Sequence, residues 1–103
     1  NIKNINFYQC DIKDIQSILD KEKIPLPTSI VVDPPRSGLH PNALKTISQL
    51  NPKNIIYISC NPSTQARDIK ELYDSNYKIN QIIPIDMFPH THHIENVALL
   101  DRI

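Results

Sequence analysis

Short runs of β-branched residues alternate with segments of helical periodicity along this chain. Residues 29–32 and 54–59 are runs rich in Ile and Val, the pattern of strands that are covered on both faces of a sheet. A brief apolar run at 5–8 and longer ones at 77–85 and 94–103 complete the predicted order β-α-β-α-β-α-β-β. Strands that alternate with helices predict a parallel sheet, whereas the last two strands have no helix between them and predict an antiparallel pair.

Capping residues and prolines define the predicted helices. Asp11 suits the N-cap of the first helix, and Pro25 and Pro27 prevent that helix from continuing. Pro41 and Pro62 suit the first positions of the second and third helices. Apolar spacing predicts three inward-facing stripes: Ile12, Ile15, Ile18 and Leu19; Ala43, Leu44, Ile47 and Leu50; and Ala66, Ile69, Leu72 and Tyr73.

Gly38 is the only glycine in the 103 residues, against nine prolines. Dinucleotide- and phosphate-binding loops need several glycines, since their backbone turns sharply and approaches the ligand closely. A complete Rossmann fingerprint or P-loop is therefore excluded from this segment. The length suits one domain, and the chain opens at Asn1 directly inside a patterned segment, so we expect residues 1–103 to be part of a larger protein.

Charge, hydropathy and cysteine content narrow the class of protein. Eleven Lys and Arg balance eleven Asp and Glu, which argues against an overall basic coat for nucleic acid but allows a local basic groove. No apolar run approaches the roughly 20 residues that span a bilayer, so we expect a cytoplasmic protein without membrane contact. Cys10 and Cys60 form no CxxC pair, which favours two reduced thiols over a zinc ribbon or a disulfide framework. The oligomeric state is not indicated.

The carboxyl ends of the predicted strands carry the unusual residues of this chain. Ligands of open α/β sheets bind outside these ends, which here are followed by residues 33–36, residues 59–62 and the loop after Ile85. Cys60 closes a strand just before a predicted helix, whose positive end favours a reactive thiolate; a buried structural cysteine is the alternative. Asp33 is either an acceptor for donors on a ligand or the cap of a nearby turn.

The loop from Asp86 to Glu95 is dense in side chains that can move protons. Glu95 opens an apolar strand and suits a general base, and an edge-strand charge that discourages aggregation is the alternative. Three loop histidines could bind zinc together with Cys60, but His-x-His-His lacks the usual ligand spacing. We therefore predict no metal site.

Two motifs carry a specific resemblance. Asp33-Pro34-Pro35-Arg36-Ser37-Gly38 is followed after sixteen residues by Ile55-Ile56-Tyr57-Ile58-Ser59-Cys60-Asn61-Pro62-Ser63-Thr64, and Arg67-Asp68 continues the pattern. Residues 86–95 read Asp-Met-Phe-Pro-His-Thr-His-His-Ile-Glu. In this order the motifs resemble the two signatures of the RNA uracil-C5 methyltransferases, the TrmA/RlmD-type 5-methyluridine family, and the resemblance covers essentially the whole chain. Pro84 stands where that family usually has an apolar residue, which at most shifts the end of the strand.

The resemblance implies the C-terminal half of a Rossmann-like domain that uses S-adenosylmethionine to methylate a uridine in tRNA or rRNA. It assigns Cys60 as the thiolate that adds to carbon 6 of uracil and Glu95 as the base that removes the carbon-5 proton. It places Asp33 where the cofactor and the target base meet, and Asp11 at a position that contacts the adenine of the cofactor. Supporting residues without individual roles are Arg36, His90 and His93.

The resemblance also implies what lies outside this chain. The glycine-rich cofactor loop, the acidic ribose-binding residue and the N-terminal RNA-binding parts of the family precede the matched region, so we expect residues 1–103 alone to be inactive. Three alternatives stay open. A cytosine-C5 enzyme shares the chemistry, but proline occupies position 35, where the catalytic thiol of such an enzyme would be sought. A catalytically silent RNA-binding or assembly module would most easily have lost Cys60 or Glu95, and a cysteine hydrolase would pair Cys60 with a loop histidine.

Overall fold

The computed structural model describes residues 3–86 and 94–103. A 3₁₀ turn at Ile12–Asp14 leads into α1 (Ile15–Lys21), β1 (Ser29–Val32), α2 (Pro41–Leu50), β2 (Asn54–Ser59), α3 (Pro62–Asp74), β3 (Tyr77–Ile85) and β4 (Glu95–Arg102). Within these residues no helix has the length and apolar character needed to cross a bilayer.

The described strands form a mixed sheet in the order β1-β2-β4-β3. β1 and β2 are parallel, with Val32 aligned to Tyr57, and α2 lies in the crossover between them. β4 lies between β2 and β3 and is antiparallel to both. The predicted α/β class, with a parallel arrangement followed by a final antiparallel pair, is confirmed.

The strand predicted at residues 5–8 is wrong. The segment has no strand pairing, and Phe7 is 91% exposed. A strand needs a neighbour that hydrogen-bonds its backbone, and no described strand pairs with this segment. The first helical segment also begins differently, since Asp11 is the N-cap of the 3₁₀ turn. Its carbonyl accepts a hydrogen bond from the Asp14 N–H at 2.9 Å, whereas its side chain makes no capping bond.

The core lies between one face of the sheet and helices α2 and α3. Burial alternates along β2, where Ile55, Tyr57 and Ser59 are buried and the residues between them are half-buried. The core side chains come from strands, helices and the loop before α2: Val32, Leu39, Ala43, Leu44, Ile47, Ile55, Tyr57, Ile69, Leu72, Tyr77, Ala98 and Leu100. By strand alternation Val31 lies on the opposite face, where it is 61% exposed. Cover on both faces, which the apolar run predicted, is therefore not found for β1 within the described residues.

The helices confirm most of the predicted stripes. α2 begins at Pro41, and its buried residues are the predicted Ala43, Leu44, Ile47 and Leu50. The four apolar residues of the first helical segment are half-buried. On α3 the buried stripe is rotated, because Ala66 and Tyr73 are exposed while the polar Gln65 and Asp68 are buried. Hydropathy alone favours apolar residues for the inner face and so misses polar groups that are buried with hydrogen-bond partners.

Pro84 lies within β3, an edge strand of the described sheet. Proline has no backbone N–H to donate to a neighbouring strand. An edge strand tolerates that loss, because it has a neighbouring strand on one side only. β3 continues to Ile85, so this departure from the family signature does not shorten the predicted strand.

Candidate active site

Three residues singled out from the sequence lie at one edge of the sheet. Asp33 directly follows β1, Cys60 directly follows β2, and Glu95 is the first residue of β4. Since β1 and β2 are parallel and β4 is antiparallel to β2, the carboxyl ends of the first two strands meet the amino end of β4 here. The pairing of Ser59 with Asn96 puts Cys60 and Glu95 each one residue beyond the last paired position of two neighbouring strands.

The side chains at this edge are accessible. Asp33 is exposed, and Cys60 and Glu95 are half-buried. Ala98 is buried on the face that α2 and α3 cover, so strand alternation places Glu95 on the opposite face of β4. The edge can therefore receive a ligand, and the Cys60 thiol is not sealed in the core.

Cys60 lies in a tight turn between β2 and α3. The hydroxyl of Ser59 accepts a hydrogen bond from the Asn61 N–H and donates one to the Asn61 carbonyl, both at 2.9 Å. Asn61 is the N-cap of α3, and its side chain accepts from the Ser63 N–H at 3.1 Å. Pro62 begins the helix as predicted. The thiol is thus held at the N-terminus of α3 by bonds on both sides of it.

The loop after β1 is fastened to α3. The Arg36 carbonyl accepts hydrogen bonds from the Asn61 amide at 3.1 Å and from the Thr64 hydroxyl at 2.8 Å. Arg67 donates to the Ser37 carbonyl at 2.8 Å. Asn61 therefore belongs both to the turn around Cys60 and to the anchor of the loop that follows Asp33.

Asp68 lies at the centre of this anchor and is fully buried. Its Oδ2 atom accepts from the Leu39 N–H at 2.7 Å and from the Tyr57 hydroxyl at 2.6 Å. Its Oδ1 atom accepts from Arg67 Nε at 3.1 Å and Nη2 at 3.0 Å, so the pair is also a salt bridge. Burial, together with the hydrogen bond to the Asp68 carboxylate, holds the pKa of Tyr57 above its ordinary range.

Gly38 is explained by this anchor. Its φ is +79°, in the left-handed region that favours glycine. A Cβ at this position would lie 2.6 Å from both Arg67 Nη2 and Asp68 Oδ2. The single glycine of the chain therefore lets the loop backbone approach α3. From the sequence, Arg67 and Asp68 were recognised only as the continuation of a motif, and their role in this anchor was missed.

The predicted site residues also include Asp11, His90 and His93. Asp11 is exposed at the start of the 3₁₀ turn, which packs against α2, and no described hydrogen bond joins it to Asp33 or Cys60. His90 and His93 lie outside the described residues. Across residues 3–86 and 94–103, no group of three or more metal-ligating side chains is close enough to hold a metal ion.

A groove of about 1190 Å³ lies between the loop after β1 and the helices α2 and α3. Pro34, Gly38, Leu44 and Glu71 are among its lining residues, whereas Asp33, Cys60 and Glu95 do not line it. The candidate site is therefore the open sheet edge and is distinct from this groove.

An open α/β sheet with polar side chains after its parallel strands defines a ligand-binding α/β domain. This chain belongs to the tRNA (uracil-5-)-methyltransferase family, whose sequence model matches residues 12–103.

Relatives of this chain are named RNA methyltransferases. One from Bacteroides thetaiotaomicron is 48% identical over 100 residues, covering 97% of this chain and 22% of the relative. One from Porphyromonas gingivalis is 46% identical over 102 residues, covering 98% and 22%. The chain thus spans about a fifth of the length of the curated relatives it matches.

The fold is similar to that of a solved methyltransferase. The structure of Pyrococcus abyssi tRNA (uracil-54, C5)-methyltransferase, in complex with S-adenosyl-L-homocysteine, is 51% identical and superposes with a TM-score of 0.65. The match covers 71% of this chain and 18% of that enzyme.

Proposed function

We propose that the protein containing this chain methylates carbon 5 of a uridine in tRNA or rRNA, with S-adenosylmethionine as the methyl donor. Membership of the uracil-5 methyltransferase family supports the reaction class. The observation that carries the proposal is the accessible thiol of Cys60 at the same sheet edge as Asp33 and Glu95.

The proposed first step uses Cys60 as a nucleophile. Carbon 5 of uracil reacts poorly with a methyl sulfonium. When the Cys60 thiolate bonds to carbon 6, the electrons of the carbon 5–carbon 6 double bond move towards the carbon-4 carbonyl, and carbon 5 becomes an enolate carbon. Covalent catalysis of this kind divides one difficult step into several easier ones.

The proposed last step uses Glu95 as a general base. After methylation carbon 5 carries both the new methyl group and its original hydrogen. Removal of that proton by the Glu95 carboxylate re-forms the double bond and expels the Cys60 thiolate, so the enzyme is regenerated. Glu95 is half-buried and begins a strand directly beside the one that Cys60 ends, which suits a base that acts on the adduct.

The residues at the edge fit part of a cofactor site. S-adenosylmethionine supplies an electrophilic methyl group when bound. The exposed Asp33 carboxylate can accept hydrogen bonds from amino or hydroxyl groups of such a ligand. The family resemblance places Asp11 near the adenine of the cofactor, and its exposed side chain is free to accept hydrogen bonds there. We assign the remaining cofactor contacts to the rest of the protein, since this chain spans about a fifth of the length of its curated relatives.

The test is methyl transfer by the whole protein to unmodified tRNA and rRNA transcripts, with labelled S-adenosylmethionine. The wild type is expected to label carbon 5 of uridine, and Cys60→Ser is expected to abolish labelling. Cys10→Ser is the matched control, because Cys10 is an exposed cysteine outside the edge, and it is expected to retain activity. Retained labelling in Cys60→Ser would overturn the mechanism, and RNA binding by the wild type without labelling would favour the silent module.

A further inference from the structure

One buried carboxylate connects the two segments that carry Asp33 and Cys60. We infer that Asp68 is a positioning residue, which holds the loop after β1 in register with the end of β2 so that both side chains address the same substrate. This inference rests on the proposed function, since it assigns a residue that supports that same site.

The partners of Asp68 come from the loop after β1, from β2 and from α3. Leu39 ends the loop that begins with Asp33, and its N–H donates to Asp68 at 2.7 Å. Tyr57 lies in β2 three residues before Cys60, and its hydroxyl donates to the same oxygen at 2.6 Å. Arg67 extends the network, since it donates both to Asp68 and to the Ser37 carbonyl. If the loop shifted relative to β2, Asp68 would therefore lose the hydrogen bond from Leu39 or the one from Tyr57.

The burial of Asp68 makes this connection rigid. A buried charge is costly unless it is paired and hydrogen-bonded. Here Oδ2 of Asp68 accepts one hydrogen bond from Leu39 and one from Tyr57, and Oδ1 accepts two from Arg67. None of the buried side-chain polar atoms of the described residues lacks a partner. An alternative loop position would leave the carboxylate partly unsatisfied, so the network favours one arrangement.

The loop itself has little freedom to adjust. Gly38 lies against Arg67 and Asp68, and the Arg36 carbonyl is held by Asn61 and Thr64. Two prolines stiffen the segment between Asp33 and Arg36. The backbone of the loop that follows Asp33 is thus held by contacts on α3, which also begins next to Cys60.

The experiment compares Asp68→Asn and Tyr57→Phe with Tyr77→Phe in the whole protein. Asp68→Asn keeps an oxygen for Leu39 and Tyr57 but turns an amide towards Arg67. Tyr77→Phe is the matched control, because Tyr77 is also buried and its hydroxyl donates to the Pro52 carbonyl at 2.5 Å. Tyr77 begins β3 and pairs with Arg102, so it lies at the opposite end of the strands from Glu95. We measure the single-turnover rate of methyl transfer at saturating RNA and cofactor, the melting temperature, and hydrogen exchange of the Leu39 amide.

A positioning role predicts a lower chemical rate at equal occupancy. Asp68→Asn is expected to slow single turnover about 10- to 100-fold, as for misplacement of a reacting group, and to speed exchange at Leu39. Tyr57→Phe is expected to show a smaller loss in the same direction. Tyr77→Phe is expected to lower the melting temperature and to leave the rate unchanged.

Rates in Asp68→Asn and Tyr57→Phe equal to those of Tyr77→Phe at full occupancy would overturn the inference. If Asp68→Asn does not fold, the comparison of Tyr57→Phe with Tyr77→Phe decides. A wild type that does not methylate uridine would overturn the proposed function instead, and the positioning role with it; hydrogen exchange at Leu39 would then still show whether the loop anchor exists.

Discussion

The hydroxyl of Tyr57 donates to the Oδ2 atom of Asp68 at 2.6 Å, and both side chains are fully buried. The bond links β2, which Cys60 directly follows, to α3, which begins two residues after Cys60. Burial disfavours a charged phenolate, and the hydrogen bond to Asp68 and the charge of its carboxylate add to this, so the pKa of Tyr57 is raised and its hydroxyl stays in the neutral, donating form.

This relationship predicts a stability that depends on alkaline pH. The folded protein raises the pKa of Tyr57 above the unfolded value of about 10, so its contribution to the free energy of unfolding is fully present below that pH and is lost as the pH rises further. Tyr57→Phe should therefore weaken the decline in stability between about pH 10 and about pH 11. Urea unfolding of the wild type and the variant at these two pH values measures the decline in the free energy of unfolding. Equal declines in the two proteins would contradict the assignment.

Gly38→Ala should destabilise the protein by about 2–5 kcal/mol, the sum of left-handed backbone strain and overpacking. The new Cβ would meet Arg67 Nη2 and Asp68 Oδ2 at 2.6 Å. Asn51→Ala is the control, since Asn51 also has a positive φ, of 52°, but is exposed at the end of α2. It should cost only about 1 kcal/mol. Equal losses in urea unfolding would show that the close approach at Gly38 carries no cost.

Asn61→Ala should lower both stability and methyl transfer. Its side chain caps α3 and also donates to the Arg36 carbonyl, so we expect a loss of about 1–2 kcal/mol. His40→Ala is the control, because His40 caps α2 through Nδ1, which accepts from the Asn42 N–H at 3.1 Å. That variant should lose about 0.5–1.5 kcal/mol and keep its methyl transfer rate. The expectation fails if both variants retain the full rate per folded molecule.

Much of the fold could be predicted from local signals. The prolines at the start of α2 and α3 predicted both helices correctly, because proline is pre-organised for the first helical position. The β-branched runs predicted β1 and β2 correctly, because such side chains suit a pleated, half-buried surface. The strand at residues 5–8 could not be predicted in this way, since a strand also needs a partner along its edge. The predicted inner stripe of α3 was partly wrong, because Gln65 and Asp68 are buried with polar partners that no hydropathy pattern shows.

The candidate site was predicted in part. Strand ends and motifs led to Asp33, Cys60 and Glu95, and the sheet topology brings these residues to one edge. The anchor around Asp68 was missed, since its bonds to Leu39 and Tyr57 join residues 29 and 11 positions apart in the sequence. The lone glycine of the sequence was the one signal of this anchor. The reason for it, a left-handed conformation and a close approach to α3, is visible only in the structure.

Glu95→Gln should trap the proposed adduct on ordinary uridine RNA. The amide cannot remove the carbon-5 proton, so elimination stops after methylation and the protein stays bonded to RNA. A band resistant to denaturing electrophoresis, dependent on S-adenosylmethionine, measures the adduct. Glu71→Gln is the control, because Glu71 is an exposed glutamate of α3 away from the edge, and it should release its product normally. Normal turnover by Glu95→Gln would assign the base to another residue.

The central claim is that the sulfur of Cys60 bonds to carbon 6 of a uracil. It is tested most directly by incubating the whole protein with S-adenosylmethionine and RNA containing 5-fluorouridine, from which fluorine cannot leave as a proton does. The account predicts a stable adduct whose mass maps to the peptide that contains Cys60, and no adduct in Cys60→Ser. An adduct that maps to Cys10, or one that forms equally in Cys60→Ser, would contradict it.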